Sequence, residues 1–158
     1  MDTHDKQLSY EDFAEVVKKT PLVSIDLIVL NGNDEVLLGF RSNEPAADSW
    51  FVPGGRIAKD ERISQAFQRI TENELGVALK YEDAHFVGVF EHLYPTNFTR
   101  KGNFGTHYVV LAYKIKINQG TLKLPTDQHS QYKWCSAESV KNENNVHPNT
   151  MAYFEGYI

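Results

Sequence analysis

Residues 54–77 read GGRIAKDERISQAFQRITENELGV. Two glycines follow Pro53, and a polar loop leads away from them. Over residues 61–75 the apolar side chains Ile63, Ala66, Phe67, Ile70 and Leu75 recur on one helical face. Gly76 is placed to end that helix with a left-handed cap. The stretch is therefore a strand–loop–helix unit. Glycines let a backbone approach a ligand closely and leave carbonyl oxygens free to face a metal. A helix N-terminus presents N–H groups and a positive dipole end, which suit phosphate oxygens. Along the helix lie Arg69, Glu72 and Glu74, and Glu74 offers the hard oxygen that Mg²⁺ takes. The helix alone reads as readily as a capped surface helix with solvated charges.

Outward from this unit the chain alternates strands and helices. Ser9 caps a first helix with Glu11 and Asp12 in its first turn, and Phe13, Val16 and Val17 follow at helical spacing. Pro21 closes it. Residues 23–30 form a strand by their β-branched content, and residues 31–34 form a turn. Residues 35–40 return as the second arm of a hairpin. Residues 49–52 are a short strand running into the glycines. Residues 86–93 and 107–117 are strands separated by a long polar loop over 94–106, and long loops in compact domains often carry function. A short strand over 132–135, a helix over 137–142 and a closing helix over 147–157, with Pro148 in its first turn, complete the chain. Mixed strands with helices between them predict an α/β (α+β) fold, a mixed sheet sandwiched between helices. Residues 1–8 read as a flexible tail and residues 9–158 as one domain.

Composition narrows the function. The 158 residues carry 16 basic and 21 acidic side chains, a net charge of −5, which argues against a broad nucleic-acid surface. A hydrophobic fraction of 41% with 12% aromatics excludes a disordered chain. The single cysteine, Cys135, forms no internal disulfide, and cysteine-only zinc sites are excluded. It reads as a small buried hydrophobe. The N-terminal residues lack the apolar core of a signal peptide, and the run 27–30 is too short to span a bilayer. A reduced, cytoplasmic protein without membrane or nucleic-acid partners is expected.

Gly55, Glu61, Arg69, Glu74, Gly76 and Val77 stand at the spacing of the Nudix box, G-x5-E-x7-R-E-U-x-E-E-x-G-U with U apolar. Three places depart from it. Ile70 and Asn73 stand where the box has Glu, and Thr71 stands where it has an apolar residue. Positions 70 and 74 are one turn apart and share a face, so Ile70 removes one of two paired carboxylates. Four other segments keep the same order: Thr-Pro-Leu-Val-Ser-Ile-Asp at 20–26, Trp-Phe-Val-Pro-Gly-Gly-Arg at 50–56, Thr-His-Tyr-Val-Val-Leu at 106–111 and Asp-Gln-His at 127–129. With the altered box they resemble the GDP-mannose mannosyl hydrolases, a branch of the Nudix superfamily, over nearly the whole chain.

That resemblance implies a Nudix fold, a homodimer, and hydrolysis of GDP-mannose or GDP-glucose at sugar C1 with inversion. It implies one Mg²⁺, with Mn²⁺ accepting the same oxygen ligands, held by Glu74, the Gly54 carbonyl and the Gln128 side chain. His129 is implied as general base, and an imidazole titrates in the right range for that work. Arg41, Arg56 and Arg69 would face the diphosphate, since guanidinium binds phosphate bidentately. Asp26, inside an apolar strand, is expected to meet an arginine or a sugar hydroxyl. Tyr108 is expected near the sugar or leaving oxygen, and His92 and Tyr94 near the hexose or phosphate. His107 alternates with Tyr108 and should face away from them. Tyr10, Phe13 and the 94–106 loop are candidates for stacking guanine. Two rivals stand beside this set: a conventional pyrophosphohydrolase giving GMP and sugar 1-phosphate, and a binding module that holds a nucleotide sugar without turnover.

Overall fold

The computed structural model describes residues 8–125 and 129–155, with the backbone alone at positions 129 and 130. Helix α1 spans Tyr10–Lys19; the Ser9 hydroxyl accepts from the Asp12 N–H at 3.0 Å, the expected cap. Strands β1 (Leu22–Leu30) and β2 (Glu35–Arg41) follow, then β3 (Trp50–Phe51) and β4 (Gly54–Arg56). Helix α2 covers Ile63–Leu75. Strands β5 (His85–Tyr94) and β6 (Thr106–Lys116) are the long pair, and β7 spans His129–Ser136. Two one-turn helices, α3 (Ala137–Val140) and α4 (Pro148–Met151), close the chain. No helix among the described residues is long and apolar enough to cross a membrane.

All seven strands join one mixed sheet, in the order β3-β2-β1-β6-β5, with β4 also on β1 and β7 also on β2. Strand β1 is its spine. One edge pairs in parallel with β6 from Leu22↔Tyr108 to Leu30↔Lys116. The other edge changes partner: it meets β4 at Ser24↔Arg56, Ile25↔Gly55 and Asp26↔Gly54, and β2 at Leu30↔Val36. The expected hairpin is thus reduced to its closed end, where Asn31 Oδ1 accepts the N–H groups of Asn33 and Glu35. Beyond that end β2 leaves β1 to pair with β7 and β3, and a fork opens at Asp26.

Alternation along β1 builds a core on each face. Ile25, Leu27 and Val29 pack with Phe67, Ile70 and Leu75 of α2 and with Tyr113. Ile28 packs on the other face with Val52, Val140, Tyr153 and Phe154. This is the sandwich the alternation of strands and helices predicts.

Five boundaries differ from expectation. Helix α2 starts two residues after Glu61, because the Glu61 carboxylate turns back to the Ala58 N–H at 3.0 Å. Strand β4 lies on glycines where no strand is expected; they lack strand propensity and are extended only by docking on β1. The closing helix is α4 followed by a tight turn over Ala152–Phe154, which lets the consecutive Tyr153 and Phe154 both bury. The helix expected over 137–142 ends at Val140. The long loop is narrowed to 95–105 by the Tyr94↔Thr106 pair and is tied by Asn97, whose amide donates to the Lys101 and Phe104 carbonyls.

Gly76 ends α2 at φ 74°, and a Cβ there would meet the Lys123 carbonyl oxygen at 2.2 Å. Gly76→Ala should therefore lower stability by more than about 1 kcal/mol, from the left-handed backbone alone and further from the clash. Phe67→Ala should cost about 3–5 kcal/mol through the cavity it leaves. Urea unfolding midpoints check both, and an unchanged midpoint in either variant would contradict the packing described.

Candidate active site

The fork in β1 opens into two adjoining chambers. The inner one, about 90 Å³, is lined by Asp26, Arg41, Gly54, Arg56, His92, Tyr94 and Tyr108, together with Ser24 and Phe51. The outer one, about 580 Å³, shares Arg41, Gly54, Arg56 and Tyr108 and adds Glu74, Tyr10, Phe13, Phe98 and Arg100. Residues of six strands, of α1 and α2 and of the 95–105 loop thus converge on a concave site that sets several charges among aromatic rings.

Each lining group has a structural reason to be there. Asp26 faces Gly54 so closely that a Cβ at position 54 would lie 2.4 Å from Asp26 Oδ1 and 2.5 Å from the Ile25 carbonyl. The Asp26 carboxylate accepts a hydrogen bond from the Tyr153 hydroxyl. Burial pushes its pKa up to about 6, against the pull of that hydrogen bond and of the Arg41 charge. Arg41 acts on it through charge, and the hydrogen bond to the carboxylate comes from a phenol. Arg41 Nε itself donates to the Pro45 carbonyl at 3.1 Å. Arg56 lies 4.7 Å over the Phe13 ring, a cation–π contact that fixes it at the boundary of the chambers. Phe98 from the long loop stacks against Tyr10 and Phe13, with centroids 5.2 and 4.8 Å apart.

His92 is 4% exposed. Its Nε2 lies 3.2 Å from the Tyr153 hydroxyl and its Nδ1 lies 3.5 Å from the Tyr94 hydroxyl. Burial first, and the His147 charge second, push its pKa down to about 4, so the ring is neutral near pH 7. His147, at the cap of α4, stacks on Phe51 and Tyr94.

Arg69 is the correction among the arginines. Its Nε and Nη2 grip the two Glu61 oxygens at 2.7 and 2.8 Å, and Nη2 also donates to the Arg56 carbonyl at 2.8 Å. The pair is largely buried and lines neither chamber. Arg69 braces the end of β4, where Arg56 stands. Gln128 lies outside the described residues. For His129 the backbone opens β7 opposite Arg41, at the chamber wall, and its side chain is outside the description. His107 points away from both chambers, as its alternation with Tyr108 requires.

Of the groups expected to hold a cation, Glu74 and Gly54 both line the outer chamber; Glu74 is 6% exposed, a carboxylate of the kind a hard cation takes. Among the described residues no three of His, Cys, Asp or Glu gather as a metal cluster. Ile70, one turn before Glu74, is 1% exposed and is the nearest neighbour a Cβ on Gly55 would meet, at 3.0 Å. That helical position is hydrocarbon, packed on the glycine strand.

Sequence reasoning missed Tyr153 and His147. Both fall in what reads as an ordinary closing helix, and nothing local marks them as touching residues that line the inner chamber.

Asp26 and His92 pull stability in opposite directions as pH changes. Asp26 holds its proton more tightly folded than unfolded, so its contribution is full below its ordinary pKa of 3.8 and is lost as pH rises through about 6. The His92 contribution is full above its ordinary 6.5 and is lost as pH falls through about 4. Relative to the wild type, Asp26→Asn should lose stability more steeply on acidification between those limits, and His92→Gln less steeply. Urea titrations across that range read the two slopes; slopes changing in the same direction would contradict the assignment.

The NUDIX domain model matches residues 20–154. The low-salt glycan biosynthesis protein Agl8 of Haloferax volcanii is 40% identical over 123 residues, 78% of this chain and 76% of that protein. A MutT NUDIX hydrolase from Burkholderia pseudomallei superposes with a TM-score of 0.71 at 25% identity, covering 87% of this chain and 98% of that one. The MutT protein of Methanosarcina mazei Go1 gives a TM-score of 0.69 at 21% identity, covering 88% and 94%. The matched span runs from the start of β1 through the glycine strand and α2 to Phe154 and includes every element that lines the inner chamber, and the chain belongs to the Nudix family of hydrolases.

Proposed function

We propose that the chain hydrolyses GDP-mannose, or GDP-glucose, to GDP and the free sugar. Water attacks C1 from the face opposite the diphosphate and inverts it. The C1–O bond breaks, its electron pair leaves with GDP, and the water proton passes to His129. Ile70 carries this conclusion. A site built for attack at phosphorus gathers several carboxylates on the box helix, and here the position beside Glu74 is buried hydrocarbon. The kinship with a protein named for glycan biosynthesis supports a sugar-bearing substrate.

The roles follow from the chambers. Arg41 and Arg56 meet at their boundary and would grip the diphosphate oxygens. Glu74, the Gly54 carbonyl and Gln128 would hold one Mg²⁺, or Mn²⁺ in its place, and such an ion neutralises charge on the departing diphosphate. The hexose would occupy the inner chamber, where Asp26, ionised above about pH 6, accepts from a sugar hydroxyl. Tyr108, His92 and Tyr94 would line the rest of the sugar's surface. Tyr10, Phe13 and Phe98 offer guanine a π face in the outer chamber. A cytoplasmic homodimer belongs to the same proposal.

Product analysis in ¹⁸O-labelled water with GDP-mannose and Mg²⁺ tests it. The expected products are unlabelled GDP and labelled mannose. GMP with mannose 1-phosphate would place the attack at phosphorus, and no turnover would leave a binding module. His129→Gln should lower kcat by roughly a hundredfold or more, as loss of a general base does.

A further inference from the structure

Behind the inner chamber runs a file of hydrogen-bonding groups: Tyr94, His92, Tyr153 and Asp26. Its proton positions can be deduced. A phenol has one proton to give. Burial and the Asp26 charge raise the Tyr153 hydroxyl far above the ordinary tyrosine range, so it keeps that proton. That proton goes to Asp26, whose Oδ2 accepts from the Tyr153 hydroxyl. The contact between the Tyr153 oxygen and His92 Nε2 at 3.2 Å then needs its proton from the ring. His92 is neutral and carries one N–H, which is therefore on Nε2. The bare Nδ1 accepts from the Tyr94 hydroxyl. One direction satisfies every group.

The two parts of Tyr153 do separate work. Its ring is core: it is 2% exposed and meets Phe90 edge-on at 4.7 Å. A phenylalanine would fill that space equally well. Only the hydroxyl reaches the site, from a residue 127 positions away from Asp26 in sequence.

We propose that Tyr153 is a positioning residue, whose hydroxyl holds the Asp26 carboxylate toward the inner chamber and fixes His92 as the Nε2–H tautomer. The consequence for turnover rests on the hydrolysis proposed above; the tautomer does not.

Two measurements on the full chain test this. Nitrogen chemical shifts of ¹⁵N-histidine-labelled protein in neutral buffer should show His92 protonated at Nε2 and bare at Nδ1. Tyr153→Phe should shift that ring toward a mixture of tautomers. With GDP-mannose the same variant should lose kcat/KM by roughly ten- to a hundredfold, because Asp26 and His92 line the chamber that would hold the sugar. An Nδ1–H ring in the wild type overturns the proposal, as does a Tyr153→Phe protein with unchanged tautomer and kcat/KM. If the variant does not fold, the wild-type spectrum alone decides. If the wild type releases no sugar, the proposed hydrolysis falls, and the spectra still decide the file of hydrogen bonds.

Discussion

The close approach of β4 to β1 is the contact on which the site depends. At Asp26↔Gly54 the two backbones leave no room for a Cβ. Any other residue at position 54 would push β4 off the spine of the sheet. With β4 go the carbonyl that borders the outer chamber, the seat of Ile70 on Gly55, and the anchorage of Arg56. The buried pair of Arg69 and Glu61 reinforces the same strand from behind by holding the Arg56 carbonyl. An ion pair taken out of water is weak as a source of stability, and its use here is geometric. It sets where the loop between β4 and α2 can run.

The inner chamber adds a second constraint. A carboxylate, an imidazole and two phenols are buried together, and each would be costly without a partner. Their mutual hydrogen bonds offset that cost and leave little freedom of orientation. The outer chamber is built from helix α1, the 95–105 loop and aromatic rings, with longer and more adaptable side chains. Rigid inside and adaptable outside is the arrangement expected where chemistry is done on one part of a ligand and the remainder is only held.

Local physics made α2, its glycine cap and the long strands legible. Helical periodicity, a left-handed glycine and β-branched runs are all properties of neighbouring residues. The family motifs carried Asp26, Arg41, Arg56, Tyr108 and Glu74 to positions that the structure brings to the chambers. Strand β4 was hidden because its extended state is imposed from outside. Arg69 was misread because spacing alone does not separate a guanidinium facing phosphate from one gripping a glutamate eight residues earlier. Tyr153 was invisible for the most general reason. Its hydroxyl meets Asp26 only after the whole chain between them has folded.

The parallel pairing of β1 with β6 bears on how the protein reaches this state. The partners in that ladder, from Leu22↔Tyr108 onward, are more than half the chain apart. Parallel neighbours cannot be joined by a tight turn, and entropy must be lost in closing a long loop before the ladder gives anything back. Folding is therefore slow compared with a chain of local hairpins. During that delay the apolar β1, the most buried strand of the finished sheet, stands without its partner. The nascent chain carries its greatest hazard of self-association in the strand that later holds Asp26 in place.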